Sequence, residues 1–138
     1  MRHEMVIEAD LTAVAPARRW ARARVEDAGV HPALTELIVL LTSEVVTNAV
    51  AHSAPPVLLS LDVSSRRTRV EVRDSTTEVP VVKHARPTET SGRGVMFVDV
   101  LSSAWGVERD GGGTKTVWFE VEHDLHLNGF VEAAARSL

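Results

Sequence analysis

The apolar segment LLTSEVVTNAVAHS, residues 40–53, contains three polar side chains that could bind a ligand or take part in a reaction. Glu44, Asn48 and His52 are spaced four residues apart, so in a helix they form one stripe. This stripe overlaps the arc of apolar residues that the helix should bury, and buried polar groups are costly unless a partner satisfies them. We therefore expect a ligand to lie along the stripe, held by groups from elsewhere in the chain.

A second candidate is Asp74, at the end of the segment TRVEVRD. Val70, Val72 and Asp74 alternate along one strand, so the carboxylate should point to the face that the valines bury. A carboxylate in that position needs a hydrogen-bond donor. On the local pattern alone, an aspartate that caps the turn before STT is an equally good interpretation.

A third candidate is SGRG, formed by Ser91, Gly92, Arg93 and Gly94 where a loop leads into a helix. Glycines there let backbone N–H groups approach an anion, and the helix N-terminus favours negative charge. By itself such a GxG usually marks only a turn. The established phosphate-binding patterns, GxxxxGK[ST] and a GxGxxG after a strand, are both absent from the sequence.

Together the three groups fit a magnesium-bound adenine nucleotide. Its triphosphate and metal would satisfy Glu44 and Asn48, and backbone N–H groups of SGRG would cover the phosphates. Asp74, as an inward-facing acceptor, could take the exocyclic amine of adenine. This arrangement would explain why the helix carries a polar stripe.

The order of elements that must position these residues predicts an α+β fold. We expect a two-layer α/β sandwich, whose mixed, mostly antiparallel sheet is covered on one face by helices. Residues 1–138 should form a single domain, with a core over about 4–121 and a C-terminal tail over 122–138. The predicted elements are a strand over 4–10, a helix over 11–29 that Thr12 caps and Gly29 stops, a helix over 32–53, a hairpin of strands 57–63 and 68–74, an irregular stretch over 75–94, a helix over 95–103, and a closing hairpin around GGG.

Composition limits the kinds of partner and site. The chain has 138 residues and a net charge of −4, which argues against nucleic acid as its main partner. It has no cysteine, and His123 and His126 lack a carboxylate third ligand, so we do not expect a metal site there. No signal peptide is evident, and no run approaches the roughly 20 apolar residues that a membrane span needs. We therefore expect no membrane-spanning segment and a cytoplasmic location.

Two surface features have a simple and a functional interpretation. Arg18, Arg19, Arg22 and Arg24 lie mostly away from the apolar stripe of the first helix, and they form either a solvated face or a docking surface for an acidic partner. Trp118 alternates with the apolar residues of its strand and should lie on the outer sheet face. There it serves ordinary packing or belongs to a partner or dimer surface.

Taken together, these segments resemble a known superfamily. SEVVTNAVAHS resembles the N-box, E-x-x-x-N-A-x-x-H, of the GHKL ATPases, which include gyrase and sensor histidine kinases. VEVRDS stands where the adenine-binding aspartate box falls, SGRGVMFVDVLSSAWGV resembles the G-x-G-[LIV] box, and GGGTKTVWFEV resembles the closing strand. The match runs from about residue 4 to 121 and implies the histidine-kinase-like ATPase fold.

Within that superfamily the short chain is similar to anti-sigma-factor serine/threonine kinases. The resemblance implies that ATP binds with Mg²⁺, that Asn48 helps to hold the metal, and that Glu44 is the general base. The base would take a proton from a serine or threonine hydroxyl of an anti-sigma-factor antagonist protein. The other partner would be a sigma factor or similar transcription regulator, and the resemblance also implies a homodimer.

The same resemblance gives the remaining residues their roles. His52 would support the N-box, and residues 75–91 would form a lid over ATP. Gly92 and Gly94 would touch the phosphates, within the box that also contains Ser91 and Arg93. Thr116 would help to bind adenine, although a shift of one residue would place Thr114 or Lys115 there instead.

One residue departs from the family pattern. The superfamily has D-x-G-x-G after the strand, whereas this chain reads DSTTEV, with Thr76 in place of the first glycine. A side chain there could crowd the base, or its hydroxyl could replace a bridging water. Because of this departure, an alternative function stays open. The protein would then be a catalytically inactive, nucleotide-gated binding module that sequesters a sigma factor or other regulator.

Overall fold

A sheet of five strands and two long helices make up the part of the chain that the computed structural model describes, residues 1–8, 10–52, 57–75, 98 and 101–124. In chain order the elements are β1 (Arg2–Ile7), α1 (Val14–Asp27), α2 (Pro32–His52), β2 (Val57–Val63), β3 (Arg67–Asp74), β4 (Ala104–Arg109) and β5 (Lys115–Glu122).

The strands form one open sheet in the order β1-β2-β3-β5-β4. Each pairing between these described strands is antiparallel, and both predicted hairpins, β2–β3 and β4–β5, are present. Helix α2 packs against β2 and β3, and α1 packs against α2 and β1. The predicted two-layer α+β sandwich is therefore confirmed.

The chain enters α1 differently from the prediction. Strand β1 ends at Ile7 rather than at residue 10, because the Asp10 N–H donates to the Glu8 carbonyl oxygen at 2.8 Å and turns the chain. The Asp10 carboxylate then accepts a hydrogen bond from the Thr12 N–H at 2.9 Å. Asp10, and not Thr12, thus caps the short 3₁₀ turn, Leu11–Ala13, that leads into α1.

Helix α1 ends at Asp27, and Gly29, the predicted stop residue, follows two residues later. This glycine has a φ of +78°, which a residue with a side chain adopts only with strain. The buried side of α1 consists of Ala17, Ala21 and Val25. These small side chains let α1 lie close to α2, which brings the arginines of α1 near the polar stripe of α2.

Helix α2 is the central helix of the core. Its buried apolar residues are Leu34, Leu37, Ile38, Val39, Leu41, Val45, Val46, Ala49 and Val50. By length and composition, Pro32–Ala51 is apolar enough for a membrane span, with a mean hydropathy of 1.5. The expectation that no run approaches the apolar length of a membrane span is therefore wrong for α2. Here that apolar surface is used to cover the sheet.

The sheet has an apolar inner face and a charged outer face. On β3 the side chains alternate, so Val70 and Val72 are buried beneath α2 whereas Arg69 and Glu71 lie on the other side. Trp118 lies opposite Glu71 in the β3–β5 register, on the outer face as predicted. The guanidinium carbon of Arg69 lies 4.2 Å from the centroid of the indole ring, so the ring packs within the sheet's own charged network.

Several predicted segments fall outside the described residues. Of the proposed lid, residues 75–91, only Ser75 is described, and the tail over 125–138 lies outside the described part altogether. Of the predicted helix over 95–103, Val98 and Leu101 are helical and buried in the core.

Candidate functional site

Glu44 and Asn48 lie on successive turns of α2, and each is half-buried. Their neighbours Val45, Val46 and Ala49 are buried in the core, so the polar stripe borders the apolar face of the helix. Among the residues that the structure describes, the side chains of Glu44 and Asn48 make no hydrogen bond. A half-buried carboxylate and carboxamide without such partners are suited to bind a ligand.

The surroundings of Glu44 change its acidity. Burial raises the pKa of the Glu44 carboxyl, and the positive charge of Arg18 on α1 opposes that rise. A carboxylate whose pKa is raised binds a proton more strongly than an exposed glutamate does. Glu44 is therefore a stronger base than an exposed glutamate.

Asp74 lies on the inner face at the end of β3. It is only 2% exposed, on the same face as Val70 and Val72, and so the sheet presents it towards the helical layer. Its register partner is Lys115, the first residue of β5, which is 6% exposed. The Lys115 Nζ lies 3.8 Å from the Asp74 Oδ2, so the inner face carries a buried ion pair.

Thr116 is not beside Asp74. In the β3–β5 register Thr116 lies opposite Arg73, an exposed residue of the outer face, whereas Lys115 lies opposite Asp74. Thr114 belongs to the β4–β5 turn, where both its N–H and its hydroxyl donate to the Asp110 carboxylate. Of the three residues that the sequence left open, the structure therefore brings Lys115 to the aspartate.

Most of the sequence matches a known protein family. The sequence profile of the histidine kinase-like ATPase domain matches residues 7–120, which include Glu44, Asn48 and Asp74. The chain belongs to this family. No curated protein matches the sequence.

Solved structures of the same fold agree with the assignment. This histidine kinase-like ATPase domain is similar to the RsbU and RsbW domains of Rv1364c from Mycobacterium tuberculosis, with a TM-score of 0.68 and 18% identity over 88% of this chain and 32% of that one. It thus spans about a third of that protein chain. It is also similar to the Acinetobacter baumannii histidine kinase AdeS, with a TM-score of 0.51 and 13% identity over 88% of this chain and 68% of that one. Both likenesses show the fold alone.

Membership of the histidine kinase-like ATPase family supports ATP binding, typically with Mg²⁺, and the described residues fit such a ligand. Asn48 offers a carboxamide oxygen, a type of ligand that Mg²⁺ accepts. Glu44 offers a carboxylate on the same stripe, and Asp74 offers a buried acceptor on the sheet beneath the helices. The remaining predicted site residues of this domain, namely the His52 side chain, Thr76, Ser91, Gly92, Arg93 and Gly94, lie outside the described part.

A positively charged groove lies next to the candidate site of this ATPase domain. Ala15, Arg18, Arg19 and Arg22 line it, and it encloses about 170 Å³. Arg22 is paired with Glu36, whereas neither Arg18 nor Arg19 forms an ion pair with another described residue. Sequence patterns indicated an arginine-rich face but not its position beside Glu44, because that depends on how α1 and α2 pack.

His123 has a structural partner in this domain. Its ring Nε2 shares a hydrogen bond of 2.8 Å with the hydroxyl of the buried Thr68. Within the described residues, no group of three histidine, cysteine, aspartate or glutamate side chains is arranged to hold a metal ion. His126, the other half of the H-x-x-H pattern, lies outside them.

Proposed function

We propose that this protein is an ATP-binding regulator of the anti-sigma-factor type, which acts in the cytoplasm as a serine/threonine protein kinase on an antagonist protein. The observation that supports this most is Glu44, a half-buried carboxyl whose pKa burial raises, one helical turn from the Asn48 carboxamide. Both lie on the helix that covers the sheet face on which Asp74 is buried. The second partner is a sigma factor or similar transcription regulator.

In the reaction, Glu44 takes the proton of a serine or threonine hydroxyl of the antagonist. The hydroxyl oxygen forms a bond to the γ-phosphorus of ATP as the bond from that phosphorus to the bridging oxygen breaks, and ADP leaves. Such a transfer depends mainly on the positioning of the two substrates and on neutralisation of the phosphate charge. It therefore requires few reacting side chains. The raised pKa makes Glu44 a stronger base than an exposed glutamate.

The other described residues bind and orient. Asn48 would hold Mg²⁺, which when bound neutralises part of the phosphate charge. Asp74 would accept a hydrogen bond from the exocyclic amine of adenine. Because Asp74 is held at the end of β3 in the buried layer, the base would be enclosed while the triphosphate extends along α2.

The arginine groove of α1 is where the antagonist would bind. A hydroxyl that reaches Glu44 must come from a chain that passes close to Arg18, since the charge of Arg18 acts on that carboxyl. Arg18 and Arg19 have no ion-pair partner among the described residues, so an acidic segment of the antagonist would complement them.

A nucleotide-gated binding module is the second candidate function, and the sequence at residue 76 favours it. Thr76 stands where the superfamily has glycine, in the box that follows Asp74. A module of this kind would bind ATP or ADP and change its affinity for the regulator, without transfer of phosphate.

Calorimetric titration with ATP, with and without Mg²⁺, tests nucleotide binding. Asn48→Ala should weaken binding in the presence of Mg²⁺, while Thr47→Ala, a substitution at the neighbouring position, should not. Transfer of γ-labelled phosphate to the antagonist, lost in Glu44→Gln, would then establish the kinase. Nucleotide binding with no phosphoprotein by mass spectrometry would favour the gated module, and no binding at millimolar ATP would overturn both proposals.

A further inference from the structure

The ion pair between Asp74 and Lys115 closes one end of the inner sheet face. The two residues are register partners, at the last position of β3 and the first position of β5. Both side chains are almost fully buried, and their charged atoms lie 3.8 Å apart. Lysine is almost never buried to this degree unless it is paired. The pairing therefore explains why Lys115 is tolerated inside, and it places a cation at the proposed adenine site.

A bound adenine could not replace Lys115 as the counter-ion of Asp74. The exocyclic amine of adenine is neutral, whereas a buried carboxylate without an opposite charge is strongly destabilising. Lys115 should therefore stay beside Asp74 when the base enters. An ammonium group has three N–H donors and a carboxylate about four acceptor sites, so each can bind a base while the pair remains intact.

The pair then offers an acceptor and a donor side by side. The Watson–Crick edge of adenine presents the complementary order, a donor at the 6-amino group and next to it an acceptor at N1. Proteins that bind single bases in pockets read this edge by hydrogen bonds. We infer that Lys115 donates a hydrogen bond to N1 of adenine while Asp74 accepts one from the 6-amino group, an assignment that rests on the proposed ATP site.

This assignment makes Lys115 a specificity residue as well as a counter-ion. A cation that only neutralised Asp74 would be indifferent to the atom at position 1 of the base. A cation that donates to N1 loses a charge-assisted hydrogen bond when that nitrogen is replaced by carbon, which should weaken binding about tenfold or more.

Three triphosphates separate these roles: ATP, 1-deaza-ATP, in which N1 is a C–H group, and purine riboside triphosphate, which lacks the 6-amino group. Each is titrated calorimetrically with Mg²⁺ into the wild-type protein, Lys115→Met and Arg73→Met. Arg73 adjoins Asp74 but is an exposed cation of the outer face, so its variant is the matched control. If circular dichroism shows that Lys115→Met is unfolded, the double variant Asp74→Asn/Lys115→Met replaces it in the titrations. The double variant has no charge at either of these two buried positions.

We expect the wild-type protein and Arg73→Met to bind ATP at least about tenfold more tightly than 1-deaza-ATP. Lys115→Met, or the double variant, should bind these two within about twofold of each other and should bind purine riboside triphosphate less tightly than ATP. Equal wild-type affinity for ATP and 1-deaza-ATP would overturn the assignment, as would full discrimination in the variant that lacks the lysine. Failure of the wild-type protein to bind any of the three would instead overturn the proposed function itself.

Discussion

Arg22 of α1 donates hydrogen bonds from both terminal nitrogens of its guanidinium group to the two carboxylate oxygens of Glu36 on α2. This fork joins the two helices near the beginning of α2. Arg18, one turn earlier on α1, then lies close enough to act electrostatically on both Glu36 and Glu44. The packing of two helices thus places a surface cation beside the proposed base.

The fork between Arg22 and Glu36 should stabilise the protein in a pH-dependent way. The hydrogen bonds from Arg22 lower the pKa of Glu36, so their contribution is present above the unfolded-state pKa and is lost as the pH falls through the folded-state value. Because Glu36 is half-exposed, Glu36→Gln should cost no more than about 1 kcal/mol at pH 7. Urea unfolding across pH 3–7 measures this, with Glu8→Gln as an exposed control, and a cost that did not shrink in acid would contradict the prediction.

Glu44→Gln should lower activity and raise stability. Loss of the general base should slow phosphate transfer by about 10²–10⁴-fold. Burial raises the pKa of Glu44, so its ionised form costs stability as the pH rises from the ordinary glutamate value of about 4.3 through the folded-state value. The variant should therefore melt at a higher temperature than wild type at pH 7 and at the same temperature near pH 3.

Transfer assays and thermal melts on the same preparation measure the two effects of Glu44→Gln together. A less active variant that was also less stable at pH 7 would indicate damage to the fold and not the loss of a base.

Arg18→Gln should move the pH profile of phosphate transfer. Burial raises the pKa of Glu44 and the charge of Arg18 opposes the rise, so removal of that charge should raise the pKa further. The acid limb of the profile should shift to higher pH. Arg19→Gln, from the same groove, is the control and should leave the limb in place, whereas equal shifts in both variants would argue against a specific effect of Arg18.

Much of the site could be predicted from periodicity. Four-residue spacing places Glu44 and Asn48 on one stripe of α2, and two-residue alternation turns Asp74 inward with Val70 and Val72. The same alternation, counted back from Val117 on β5, places Lys115 on the inner face of the sheet. The sequence pattern therefore predicts Lys115 beside Asp74, although the family resemblance pointed to Thr116.

Other features depend on contacts that no local pattern contains. Asp10 and Thr12 are both good capping residues, and only the turn at Glu8 decides between them. The effect of Arg18 on Glu44 depends on the packing of α1 on α2, since the two residues are far apart in the sequence. Spacing along the chain predicts which residues share a face, but not which faces meet.

Lys115→Met should destabilise the fold far more than its double-variant counterpart. The single substitution leaves the Asp74 carboxylate buried without its cation, which typically costs about 3–5 kcal/mol. Asp74→Asn/Lys115→Met removes both charges and should recover much of that loss. Urea unfolding of the wild type, both single variants and the double variant measures the coupling, and simple additivity of the two single costs would contradict it.

Gly106→Ala should be destabilising because the indole ring of Trp118 lies over the glycine. A Cβ built at Gly106 would approach two atoms of that ring to 2.9 Å, and the same ring is stacked on the guanidinium group of Arg69. Moving the ring would disturb that stack, at a cost of about 1–3 kcal/mol. Gly111→Ala, where no atom lies within 4 Å, is the control, and equal urea midpoints for the two variants would refute the packing argument.

The strict alternation along β3 also protects the chain against folding in the wrong register. Thr68, Val70, Val72 and Asp74 face the helices, and the residues between them are arginines and a glutamate that form ion pairs on the other side. A slip of one position would bury two arginines and a glutamate under α2. Each buried charge would cost several kcal/mol, more than a misaligned set of backbone hydrogen bonds could recover. The charged face of this sheet thus favours the native register of β3, because the misaligned register would bury charged side chains.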